Sequence, residues 1–506
     1  MEKKIGVIDI GSNSVRLNIA ERDRFNRFRI LEDVKVNVRL GKGLSETGKL
    51  FEDRMAQGIE TLKLFRQILD RYDADRVAAV ATAAVRKAEN GQAFVKTIQA
   101  ETGFDIKVIS GIEEASLDYL GAMSTLEIRD GVLMDIGGGS IELVLIRERK
   151  LVEAISIPVG AVDLTERFGL KDQVDKKDLE ALKAYLETTF EQIDFLKKAK
   201  GLPIIGVGGT IRNVGRIHRR LIAYPMELTH HYEMLQNDVE MVCKTASKLD
   251  LEARKDLKGL SKGRADVFIG AAYALKELML FLDSEQLIIS DAGLREGLIL
   301  KCFGENDVAD GGVFEESLMH VAQDYEVDLF RAAKVYRLMQ VLLEQLRALH
   351  GIDRPVNRIM KISAMLRDAG VKIRYRNYPE HSFYLILNSA LYGVSQKEIL
   401  MSALAVLNHK STKKLRIDEM YSGILEEEDE QVIEILSLFL QISDALEKAM
   451  ASQGELLFAE VSEKAVKLLV SGTLDPSFAE RICMVCGKKF KRVFDKELIV
   501  SGIERV

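Results

Sequence analysis

The chain has 506 residues, 47% of them hydrophobic and 30% charged, with a net charge of −6. That length excludes a single core and predicts several domains. The acidic balance argues against a general nucleic-acid or membrane-surface binder, while 72 Lys and Arg leave room for local basic clusters that could meet a polyanion. Four cysteines, at 243, 302, 483 and 486, are too few for a disulfide framework and fit a reducing compartment. Cys483 and Cys486 form a C-x-x-C without a second pair, which reads as helix packing rather than a zinc ribbon. No signal-peptide or membrane-length apolar run is read, so the expectation is a cytoplasmic protein with neither membrane nor nucleic acid as partner.

Residues 4–9 and 15–20 read as two strands around a polar turn, with a third near 27–39. Phe51, Met55, Ile59, Leu62, Phe65 and Leu69 recur at helical spacing and predict a helix over about 51–71. A strand at 76–82, a helix at 83–101, a strand at 105–110 and a helix at 113–124 complete an α/β layer pattern. The order then restarts, with strands at 131–136, 141–147 and 151–158, helices, and short buried strands at 202–207 and 287–290. The restart is visible in the residues themselves: 9–17 read D-I-G-S-N-S-V-R-L and 135–143 read D-I-G-G-G-S-I-E-L. Such a repeat predicts two homologous α/β domains facing each other across a cleft. Beyond residue 304 helical periodicity dominates to about 450, followed by a strand at 466–471, a helix at 478–494 and a strand at 497–501. The expected domains are therefore 1–125 and 126–304, a helical 305–450, and a small α/β unit at 451–506.

In each repeated turn an Asp ends a buried strand and a Gly- and Ser-rich turn follows. Glycine lets several backbone N–H groups converge on one anion, and the Asp can hold a divalent cation. One such turn is as well explained by a tight hairpin. Two copies, each headed by Asp, point to a phosphate site. Gly206-Val207-Gly208-Gly209-Thr210 opens a helix and offers further amides as a third wall.

Taken together, D-I-G-S-N-S, S-G-I-E-E-A, D-I-G-G-G-S-I-E-L, G-V-G-G-T and S-D-A-G-L-R-E-G resemble the exopolyphosphatase and guanosine pentaphosphate phosphohydrolase family. The resemblance covers about residues 4–300. It implies two ribonuclease-H-like (actin-like ATPase) domains followed by an HD-like helical domain. It also implies Mg²⁺-dependent hydrolysis of inorganic polyphosphate or guanosine pentaphosphate, and a homodimer. By position it makes Glu114 the residue that orients or deprotonates the attacking water, although two glutamates opening a helix also suit its dipole. Asp135 and Glu142 match the family's other site acids and are expected to hold Mg²⁺, with Asp9 as the counterpart in the first domain. Gly11, Ser12, Asn13, Ser14 and Arg16 would contact phosphate from one side; Gly137, Gly138, Gly139 and Ser140 from the other; and Gly208, Gly209 and Thr210 from the third wall. Arg86 is placed to neutralise phosphate charge, or else is a surface helix arginine. The S-D-A-G-L-R-E-G segment is expected to be structural.

In the helical half Met365-Leu366-Arg367-Asp368 stands where an HD metal pair would be, with Arg in place of His, and with His381, His409 and Asp444 following. A centre lacking these ligands is expected to be a retired hydrolase. Basic residues cluster at 372–376, 409–416 and 488–492, either as solvated faces or as a grip on a long polyanion. Competing readings are a kinase or chaperone of the same superfold, which S-G-I-E-E-A argues against, and a non-catalytic sensor, which the intact acids argue against.

Overall fold

The structure is a computed structural model and describes residues 3–23, 28–449, 457–471 and 474–503. The chain divides into two compact units, residues 1–223 with 228–311, and residues 224–227 with 312–506.

The first unit holds both halves of the repeat. β1 (Lys3–Ile10), β2 (Val15–Arg22), β3 (Phe28–Val36), β4 (Arg76–Ala81) and β5 (Ile106–Val108) form a sheet in the order β3-β2-β1-β4-β5. β6 (Gly131–Ile136), β7 (Ile141–Arg147), β8 (Lys150–Ile157), β9 (Ile204–Val207), β10 (Tyr232–Leu235) and β11 (Gln286–Ile289) form a second, ordered β10-β11-β9-β6-β7-β8. Each sheet is an antiparallel three-strand meander with parallel strands added beside its first member, β4 on β1 and β9 on β6. The repeat is therefore topological as well as sequential. It extends to register: Asp9 pairs with Arg16, and Asp135 pairs with Glu142. The central strands are apolar runs, as strands buried on both faces must be; Ile8, Ile10, Val15, Leu17 and Ile19 belong to one core cluster.

Two departures from the sequence reading have local causes. The expected 83–101 helix is two helices, Ala83–Lys87 and Gly91–Thr102. Asn90 interrupts it by pairing with the Leu50 backbone, accepting from its N–H at 2.8 Å and donating to its carbonyl at 2.9 Å. Such side-chain bonds to backbone compete with helix propagation. β10, only four residues long, has no counterpart in the sequence reading; it adds antiparallel to β11 at the sheet edge.

The second unit packs the helices Val313–Asp324, Leu329–Gln345, Asn357–Leu366, Tyr378–Asn388, Gln396–Asn408 and Glu427–Ala449. Its C-terminal part is a sheet of β12 (Leu457–Val461), β13 (Ala465–Ser471) and β14 (Glu497–Ile503), with helix Pro476–Phe494 crossing between the parallel pair β13 and β14. The boundary expected at 450–451 lies outside the described residues. No described helix is long and apolar enough to cross a membrane.

Candidate active site

Both repeated turns reach one cleft in the first unit, with about 960 Å³ of atom-free space that is partly open to solvent. Asp9, Gly11, Ser12, Asn13, Ser14 and Arg16 line it from the first sheet. Asp135, Gly137, Gly138 and Ser140 line it from the second, and Gly208 and Gly209 close the third side. The two turns are closed by the same bond, from the Gly11 N–H to the Ser14 carbonyl at 3.1 Å and from the Gly137 N–H to the Ser140 carbonyl at 2.9 Å. Glycine is obligatory at one point above all. Gly208 has φ +83, and a Cβ there would lie 1.8 Å from Asp135 Oδ1. Gly139 borders a smaller adjoining cavity with Ser12 and Lys87. Thr210, Arg86 and Glu142 do not line the cleft directly: Thr210 Oγ1 accepts from Arg264 Nη1 at 3.1 Å, Arg86 donates to Glu114, and Glu142 lies behind Asp135, its register partner.

Two adjacent glutamates at the start of helix Gly111–Met123 have separate tasks. Glu113 forms a capping box with Ser110 and pairs with Lys107 at 2.6 Å, which holds its carboxyl at about 2. Glu114 turns inward, is 6% exposed, lines the cleft and accepts from Arg86 Nη1 at 3.1 Å. The same Nη1 donates to the Ile109 carbonyl at 2.8 Å, so Arg86 is fixed against Glu114. Burial, and then Glu142, push the Glu114 carboxyl well above the ordinary glutamate range, with Arg86 opposing. Glu142 is fully buried and accepts from Ser156 Oγ at 2.7 Å; burial and then Asp135 raise it to about 7. Burial raises Asp9 to about 6 against Arg295 and Arg16, and raises Asp135 against Arg212 and Arg264.

One oxygen each of Asp118, Asp135 and Glu142 is buried without a partner. Hard carboxylate oxygens left in this state suit a hydrated divalent cation. Among the described residues no three His, Cys, Asp or Glu converge closely enough to cage one ion. Mg²⁺ usually keeps several waters and binds through one or two carboxylates plus substrate phosphate, a mode the unpartnered oxygens fit.

The sequence reading missed Asp118, Arg212, Arg264 and Arg295, all of which line the cleft. Arg16 and Arg264 are each held at about 10, by burial first and then by neighbouring arginines. Lys35 is lowered to about 8 by burial and then by Arg16, Arg264, Arg212 and Arg216. Cations crowded in this way are relieved by an anion of high charge. Arg212 sits one turn into the helix opened by Gly208, where the third glycine turn could have signalled it. Arg295 and Glu296 come from S-D-A-G-L-R-E-G, so that segment contributes wall residues besides closing the fold. Arg264 ends a short Lys262–Arg264 turn with no motif around it.

In the second unit Arg367 is 1% exposed and donates from Nε to Asp444 Oδ1 at 3.1 Å. Its Nη2 lies 3.2 Å from Asp368 Oδ2, and its Nη1 donates to the Ala364 carbonyl at 2.8 Å. Burial alone would raise Asp444, but Arg367 and Lys448 hold it at about 2. His409 is buried, with Nδ1 2.6 Å from the Val406 carbonyl, and burial lowers it to about 4. A guanidinium thus serves the two acids as their fixed cation. Of the basic clusters, Lys413 and Lys414 are exposed, whereas Lys489 is buried and donates to the Asn408 carbonyl and Ser437 Oγ at 2.9 and 2.8 Å. Cys483 and Cys486 are free thiols on helix Pro476–Phe494.

Two α/β halves of one repeated topology thus enclose a cleft lined by acids and arginines. The model of the Ppx/GppA phosphatase family matches residues 18–305, and that of the family's domain III matches residues 313–471. The chain belongs to the Ppx/GppA phosphatase family, as its motifs imply. A family member from Aquifex aeolicus is similar at 29% identity and a TM-score of 0.53, covering 61% of this chain and 100% of that one. An exopolyphosphatase from Cytophaga hutchinsonii is similar at 26% identity and a TM-score of 0.57, with the same coverage of each chain.

Proposed function

We propose that the chain is an exopolyphosphatase, releasing the terminal phosphate of inorganic polyphosphate with Mg²⁺ and using Glu114 to activate water. The observation that carries this reading is Glu114 itself: a buried carboxylate on the cleft wall, held at 3.1 Å by Arg86, between two Asp-headed glycine turns. The backbone N–H groups and hydroxyls of residues 11–14 and 137–140 would hold the terminal phosphate from both sides. Glu114, raised above its ordinary range, is suited to take a proton from an attacking water, and Arg86 keeps it oriented. Arg16, Arg212, Arg264 and Arg295 would neutralise the phosphates behind the scissile bond. Asp135 and Asp9 would hold Mg²⁺ with Glu142 behind them, and the ion, when bound, neutralises charge on the transferred group.

Guanosine pentaphosphate offers the same phosphoanhydride to the same centre, and the extra cations suit its second phosphate cluster equally well. This is the second reading. A cytoplasmic homodimer accompanies both. The test is hydrolysis in ¹⁸O-water with Mg²⁺, with each substrate in turn. Labelled phosphate released faster from polyphosphate supports the first reading, and faster from the nucleotide the second. Unlabelled phosphoryl transfer from ATP to an acceptor would replace both.

A further inference from the structure

Helix Gly111–Met123 carries a second buried acid that this mechanism does not use. Asp118 lies four residues after Glu114, on the same helical face, and is 1% exposed. Its Oδ1 accepts the Leu294 backbone N–H at 2.8 Å, while Oδ2 is unpartnered and the residue borders the cleft. Leu294 is the first residue of helix Leu294–Cys302, whose leading N–H groups find no partner within their own helix. A carboxylate from one helix thus satisfies an orphan donor of another.

The two helices meet backbone to backbone. A Cβ on Gly121 would lie 2.1 Å from the Gly293 carbonyl oxygen, and one on Gly297 would lie 2.0 Å from that of Leu117. This close approach, packed on either side by Leu117 and Leu298, brings the Asp118 carboxylate onto the Leu294 N–H, the bond that sets how the two helix ends meet at the cleft. Arg295, one residue beyond Leu294, lines the cleft and donates to Asn18 Oδ1 of β2 at 2.6 Å.

We propose that Asp118 is a positioning residue: by clamping the Leu294 N–H it fixes Glu114 relative to the arginine-lined wall that receives phosphate. The inference rests on the reading of Glu114 as the water-activating group. Displacing a reacting group by about 1 Å costs on the order of 100-fold in rate, so loss of the clamp is felt in turnover more than in binding.

The experiment measures kcat and KM for phosphate release by Asp118→Ala, Asp118→Asn, Leu294→Pro and Leu294→Ala, with Glu114→Gln alongside. Proline suits the first helical position but has no N–H to donate; alanine keeps the donor and removes the leucine side chain. Asp118→Ala and Leu294→Pro are expected to lower kcat roughly 10- to 100-fold with KM changed by no more than about threefold. Asp118→Asn, which keeps an acceptor oxygen, and Leu294→Ala are expected to recover most of kcat. The Asp118→Ala/Leu294→Pro double variant is expected to be no worse than either single. Wild-type turnover in Asp118→Ala beside an inactive Glu114→Gln overturns the clamp and leaves the role of Glu114 standing. An active Glu114→Gln removes the reading on which the clamp depends. Asp118→Asn as impaired as Asp118→Ala also overturns it, because the charge on Oδ2 would then be what acts. Should Asp118→Ala fail to fold, the comparison of Leu294→Pro with Leu294→Ala decides alone, equal turnover of the two counting against the clamp.

Discussion

Replacing Gly208 by alanine isolates the contribution of one close approach in the cleft. Gly208 has φ +83, and a non-glycine residue in the left-handed region costs about 1–2 kcal/mol. Its Cβ would also stand 1.8 Å from Asp135 Oδ1, where side-chain carbons essentially never come closer than 3.0 Å. The carboxylate must then retreat by about 1.2 Å or the turn must open, either of which costs on the order of 100-fold in rate if Asp135 is part of the reacting array. Gly201 supplies the control, since it has φ +76 and no atom within 4 Å of where a Cβ would stand. Both variants carry the cost of the left-handed backbone, and Gly208→Ala a further cost of about 1–3 kcal/mol for the clash, read as a lower Tm than that of Gly201→Ala. Only Gly208→Ala is expected to lose phosphate release. Near-wild-type turnover by a folded Gly208→Ala would refute the reasoning that places Asp135 in the site.

Arg367→Leu leaves Asp444 and Asp368 without their buried cation and should destabilise the second unit by about 3–5 kcal/mol, read as faster hydrogen exchange in helices Asn357–Leu366 and Glu427–Ala449. Asp444 titrates at about 2 instead of 3.8, so it contributes about 2 kcal/mol that is present above pH 4 and lost as pH falls through 2. Hydrogen exchange in the same helices between pH 4 and 2 should show that loss. The Arg212→Ala/Arg264→Ala double variant should raise KM for polyphosphate and flatten its dependence on salt, with kcat less affected. Because burial raises the Glu114 carboxyl, kcat/KM should climb with pH along a limb displaced above the ordinary glutamate range. Arg86→Ala, which removes the opposing cation, should move that limb further up in pH.

The cleft was legible in the sequence to the extent that it is built from contiguous turns. Asp9 to Arg16 and Asp135 to Glu142 announce themselves because a glycine turn needs its residues side by side in the chain, and the structure gives both pairs the same register. Asp118 was within reach of the same logic, since a residue four positions after Glu114 must share its helical face. The arginine wall was not legible. Arg264 reaches the cleft from a three-residue turn and Arg295 from a helix in contact with Glu114's own, a convergence produced by tertiary packing rather than by local pattern. The break at Asn90 was hidden for a similar reason, because its partner, Leu50, lies forty residues away. In the helical unit the sequence showed an arginine in place of a histidine, and only the structure shows that its guanidinium bridges Asp368 and Asp444.

The most direct test of the central claim is single-turnover phosphate release by Glu114→Gln, with polyphosphate binding measured on the same preparation. The expected result is binding within a few-fold of wild type and release slowed by about 10²–10⁴, the range for loss of a general base. Release at the wild-type rate from bound polyphosphate would contradict the account, and the group that activates water would then have to be sought elsewhere in the cleft.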